Sequence, residues 1–140
     1  WGGLDDPFLN FCKGVIAFRK AHPALRQEGF LTGEAAEDGS VEIAWYKPDG
    51  TCVDDAAWAD GNLRALGLFV SKSVNGEGPD QAFLVFNAGA DCRVTLPAVN
   101  GIAEWRRVLD TGAAEDTFAE HAAESPAMVY GASVAVFEPA

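Results

Sequence analysis

The chain has 140 residues, 49% apolar and 22% charged, a composition that suits one folded globular domain and excludes disorder. At this length about two-thirds of the unfolded surface can be buried, enough for one core built on nine Phe and four Trp but not for two full domains. Ten Lys plus Arg against 21 Asp plus Glu leave a net charge of −11, which repels a phosphate backbone and argues against nucleic acid as a partner.

Apolar runs such as 82–86 fall far short of the roughly 20 residues that cross a bilayer, and no basic, apolar, small-residue leader opens the sequence. Neither a membrane nor export is expected. Cys12, Cys52 and Cys92 are odd in number and lack any C-x-x-C spacing, so the reading expects no disulfide framework, no metal and no cofactor. A reducing cytoplasm fits that usage best.

In chain order, Asp5-Asp6-Pro7 is a helix start, with an Asp cap and a proline where its missing N–H does no harm. Phe8, Phe11, Cys12, Val15 and Ile16 recur at helical spacing, Leu9 and Phe18 widen the stripe, and Arg19 and Lys20 complement the dipole at the far end. Such a helix needs partners on two sides. His22-Pro23 ends it, because a residue before proline is pushed out of the α region, and His22 reads as a structural cap rather than a base.

Beyond Pro23 the helical period gives way to short extended runs. Strands are predicted over 41–46, 66–71, 82–87, 92–96, 104–109 and 133–138, with a weaker one near 128–130. Apolar and polar residues largely alternate over 41–46 and 92–96, as strands with one wet face do. Asp54-Asp55-Ala56-Ala57-Trp58 predicts one short helical turn, capped by Asp and anchored by a buried Trp58. The fold class expected is mainly β, an antiparallel β-sandwich preceded by one N-terminal α-helix.

Candidate chemistry is sparse. Gly76-Glu77-Gly78-Pro79 lacks the spacing of a phosphate loop and reads as a hairpin connection. No Gly-x-Ser-x-Gly or Cys–His arrangement appears. Glycoside hydrolysis needs a carboxylate pair held across the scissile bond. Asp38, Asp49, Asp54, Asp55, Asp80 and Asp91 instead fall where Asp serves turns and helix starts through local backbone hydrogen bonds. The flat faces of Trp45, Tyr46, Trp58 and Trp105 could stack on a sugar or pack a core. In a regular strand Trp45 and Tyr46 point to opposite faces, so at most one of them faces the core.

The run Phe18-Arg19-Lys20-Ala21-His22-Pro23-Ala24-Leu25-Arg26 resembles the last barrel helix and its exit in isoamylase-type glycogen debranching enzymes. Trp45-Tyr46-Lys47-Pro48-Asp49-Gly50 is similar to that family's W-x-x-P-D-G block, and Asp55-Ala56-Ala57-Trp58 to its D-x-x-W. Leu66-Gly67-Leu68, Leu84-Val85-Phe86-Asn87-Ala88, Leu96-Pro97 and the stretch from Trp105 to Asp110-Thr111 follow in the family's order. Phe18 and Tyr46 stand where the family usually has Leu, changes a fold tolerates.

The resemblance implies that residues 1–26 are the last helix and exit of a catalytic barrel, and 27–140 a C-terminal β-sandwich domain. The parent would be a cytoplasmic glycoside hydrolase of glycogen catabolism, cleaving α-1,6-glucosidic branches. Its catalytic acids belong to barrel strands this chain does not contain, so none carries over and the chain alone is expected to be inactive. The expected role is structural support of the barrel, with that barrel as partner. The alternative is an independent carbohydrate-binding module that takes α-glucan on an aromatic platform of Trp45, Tyr46 and Trp58.

Overall fold

A computed structural model describes residues 7–35, 40–74, 78–113 and 119–140. Helix α1 spans Pro7–Ala21 and ends in the basic pair Arg19 and Lys20; its proposed Asp5-Asp6 cap lies outside the described residues. A 3-10 turn, Pro23–Leu25, follows at once. The remaining elements are β1 (Ile43–Tyr46), α2 (Asp55–Ala59), β2 (Ala65–Val74), β3 (Gly78–Asn87), β4 (Cys92–Thr95), β5 (Glu104–Asp110), β6 (Glu120–Ala122), β7 (Pro126–Val129) and β8 (Ser133–Pro139).

All strand pairs are antiparallel. Six strands form one sheet in the order β1-β2-β3-β8-β5-β6, while β4 and β7 form a second. Each predicted strand is present, with β2 and β3 longer than expected because they continue as one hairpin to a Val74–Gly78 pair. That places Gly78 and Pro79 of the expected connection inside β3, and Gly76 and Glu77 outside the described residues. Strand β6 was not expected: three residues carry no period, and pairing with β5 defines it.

The core lies between the two sheets. Phe69, Phe83, Val85, Trp105, Ala135 and Phe137 from the large sheet meet Val94, Ala127 and Val129 from the small one. Trp105 is fully buried and its indole N–H donates to the Pro97 carbonyl at 3.1 Å, so even the polar atom of the largest core side chain is satisfied. Gly67 makes room for this packing: a Cβ there would lie 2.4 Å from Cζ of Phe83. Arg107 is also buried, lying over the Phe137 ring and paired with Asp110 at 2.9 Å.

The other face of the large sheet is apolar too. Val70 and Ala82 are buried there beneath Ala24 of the 3-10 turn, with Leu25, Leu31, Ile43, Leu68 and Leu84 around them. Farther from the turn, Leu66 opposes Phe86 and Phe86 opposes Val134 in register, and Phe86 is exposed. The central strands are thus apolar on both faces, the habit of strands covered on both sides.

Candidate functional site

Two constellations stand out on this scaffold. The first joins the helix exit to the sheet. His22 occupies the N-cap position of the 3-10 turn in an extended conformation, yet its side chain makes no cap hydrogen bond. Asp80 supplies the cap from 56 residues away: its Oδ2 accepts from the Ala24 N–H at 2.7 Å while its Oδ1 lies 2.8 Å from His22 Nδ1. Asp80 is therefore no turn residue, and the expectation of a local role is corrected: it sits in β3, where the register aims it at the passing chain.

On the far side of the imidazole, His22 Nε2 lies 3.5 Å from Glu138 Oε2, and the other oxygen of Glu138 accepts from Arg106. The ion pair with Glu138 pushes the Arg106 guanidinium further above its ordinary range. Phe18 of α1 packs on the imidazole with ring centroids 4.1 Å apart. Both oxygens of both carboxylates face partners, so these side chains clamp the helix exit to the sheet.

The second constellation is aromatic, and the W-x-x-P-D-G…D-x-x-W motif builds it. Trp45 lies on β1; Pro48-Asp49-Gly50 then turns the chain back, with Gly50 at φ +83° and the Gly50 N–H donating to the Lys47 carbonyl at 3.0 Å. A Cβ on Gly50 would also crowd Thr95 at 3.0 Å. Asp49 accepts from both the backbone and the hydroxyl of Thr51, and those bonds hold its carboxyl below the usual carboxylate range. The returning strand segment donates from Val53 N–H to the Trp45 carbonyl at 2.9 Å. Asp54 then caps α2, accepting from the Ala57 N–H at 2.8 Å.

The result sets the Trp58 and Trp45 rings edge to face, centroids 5.6 Å apart and planes at 76°. Trp58 is 52% exposed, which corrects the expectation of a buried anchor. Its helix is only five residues long and none of them is buried, so α2 rests on the edge strand instead of inserting into the core.

The three candidate sugar-contact residues are thus divided. Trp45 and Trp58 come together, while Tyr46 faces the opposite way, packed edge-on against Phe83 with ring centroids 5.9 Å apart. As the period of two requires, Tyr46 belongs to the core side and Trp45 does not. Burial, with the neighbouring Cys52 thiol, pushes the Tyr46 hydroxyl up. Tyr46 also borders an open cleft of about 870 Å³, with Glu42, Ser71, Ser73, Gln81 and Asn100 on its walls. Among the described residues no three His, Cys, Asp or Glu side chains gather in a metal-binding group, and no helix is long and apolar enough to cross a membrane.

The fold is a small antiparallel sandwich with a helix exit tied across its larger sheet. Residues 42–136 match the family described as Isoamylase, C-terminal, and the chain belongs to that family. It is 30% identical over 112 residues to the isoamylase of Pseudomonas amyloderamosa, covering 79% of this chain and 13% of that protein. With the isoamylase of a Flavobacterium species it shares 33% identity over 112 residues, 77% of this chain and 14% of the relative. A glycogen debranching enzyme from Yersinia pestis is 26% identical over 117 residues, 82% of this chain and 15% of the relative. The chain spans between 13% and 15% of the length of these relatives.

Proposed function

We propose that this chain is the non-catalytic C-terminal domain of a cytoplasmic debranching hydrolase that cleaves α-1,6-glucosidic branches in glycogen or its limit dextrins. Its own role is to support and cover the catalytic barrel, with α1 and the exit segment up to residue 26 belonging to that barrel and 27–140 forming the sandwich. The clamp carries the reading. Asp80 takes both the His22 ring and the Ala24 N–H, so the exit of a helix whose own residues are all outside the core is tied to the sheet. Phe8, Phe11 and Ile16 on that helix are exposed, as is Phe86 on the sheet face it leads onto. Large apolar surfaces of this kind mark a partner.

Reading and expressing the coding region that precedes Trp1 tests the proposal. The expected result is a barrel with paired carboxylates, and reducing ends released from a branched limit dextrin by the longer polypeptide but not by this chain. An unrelated upstream domain, or turnover by this chain that replacing one of its own acids abolishes, would contradict it.

A further inference from the structure

We propose that Trp45 and Trp58 form a stacking platform for an α-1,4-linked glucan chain, a binding site on the sandwich itself. The motif that spans 45–58 uses a proline, a positive-φ glycine, an Asx turn and a helix cap to one outcome, which is to set the exposed Trp58 indole against the half-buried Trp45 indole. A core needs no such device, and Trp58 is half in solvent.

The surroundings select the ligand. On the short helix and its caps Ala56, Ala59, Asp54, Asp55 and Asp60 are exposed and Ala57 is half-buried, so the indole is the one large apolar side chain this helix presents, where a protein hot spot is usually ringed by others. Three acids on a chain of net charge −11 repel phosphate, nucleic acid and anionic lipid, but leave a neutral polyol unaffected. The axial C–H bonds of a glucose ring form an apolar face that lies on an indole, and its rim of hydroxyls needs donors and acceptors close by. Lys47 Nζ and Asp54 Oδ2 provide one of each, 3.8 Å apart and both reachable from solvent.

Ring geometry narrows the linkage. An α-1,4 glucan curves, so successive sugar faces are inclined, and two indoles at 76° can each meet one of them. A flat β-1,4 chain would need coplanar rings.

The test titrates the chain with maltoheptaose and cellohexaose by calorimetry, with far-UV circular dichroism and a cooperative denaturation transition confirming that each variant is folded. Saturable binding of maltoheptaose and none of cellohexaose is expected. Trp58→Ala should weaken binding by about tenfold or more, a change well outside titration error. Trp58→Phe should recover part of it, and Tyr46→Phe, on the opposite face, should leave it unchanged. The site is overturned by absence of maltoheptaose binding, by binding that survives Trp58→Ala, by equal binding of cellohexaose, or by dependence on Tyr46. Loss of this site would leave the barrel-support reading standing, because that rests on the clamp and on the upstream sequence.

Discussion

The two faces of the large sheet are built from similar residues and end in opposite conditions. Toward the small sheet, Trp105, Phe69, Phe83 and Phe137 touch one another and are closed off from water. On the reverse face only the strip under the 3-10 turn is sealed, while Phe86 and the whole of α1 stay in contact with solvent. The inner face is finished by the chain itself. The outer face, and the helix that leads onto it, keep large apolar side chains in water, and the proposed barrel contact rests on them.

That contrast predicts which substitutions the fold will feel. The largest effect belongs to the inner face: Trp105→Ala removes a fully buried indole and leaves the Pro97 carbonyl without its donor, and should cost roughly 3–5 kcal/mol in chemical denaturation. A shift below about 1 kcal/mol would mean that the inner core is not what holds the domain together.

Asp80→Ala breaks the clamp and strands the N–H of Ala24, a residue only 3% exposed, at a cost of about 1–3 kcal/mol. Because the clamp holds the strap and not the core, the loss should appear as faster amide exchange at Ala24 and Leu25, with a smaller change in the global denaturation midpoint. Unchanged exchange at these amides would show that the strap is held by its apolar contacts alone.

A smaller effect is expected with pH. His121 packs on Phe137, and burial, helped by the Arg107 charge, depresses its pKa below the ordinary histidine value near 6.5. Its Nε2 is enclosed without a hydrogen-bond partner. Between the depressed folded pKa and 6.5 the unfolded state binds more protons, so this group's contribution is present above about 6.5 and is lost as the pH falls below it. Acidification also relieves the repulsion of a net charge of −11, which acts in the opposite sense. The comparison is therefore between wild type and His121→Gln, whose stability difference should narrow as the pH drops from 7.5 to 5.5. A difference that stays constant would remove His121 from the account.

The smallest change is expected for Trp58→Ala. An exposed ring in edge-to-face contact with one other indole contributes less than about 1.5 kcal/mol. A loss of the size expected for Trp105 would reinstate Trp58 as an anchor and undo the platform.

What could be read in the sequence was what local chemistry decides. Asp54 as a cap, the opposite orientations of Trp45 and Tyr46, and the change of period at Pro23 each depend on neighbours a few residues away, and each is present. The role of Asp80 is not legible in the sequence, because its partners lie 56 and 58 residues upstream and no spacing rule connects a strand acid to a helix exit. Asp91 likewise reaches 40 residues to the Gly131 N–H. Burial of Trp58 as the anchor of its turn is what the sequence predicts, because aromatic burial is the usual outcome, whereas its exposure follows from the place of a five-residue helix with no buried residue, a tertiary fact. Strand β6 was invisible for the same reason: Glu120, His121 and Ala122 become a strand only where β5 has a free edge to offer.

Native-state hydrogen exchange on the chain tests the division most directly. Isolated helices of about 12–15 residues are marginal in water, and α1 has 15 residues with none of them buried. Amides of β2, β3 and β8 should therefore exchange only through global unfolding, while those of α1 between Pro7 and Phe18 exchange orders of magnitude faster by local opening. Protection of α1 equal to that of β3 would mean that the chain finishes its outer face by itself, and would contradict the account.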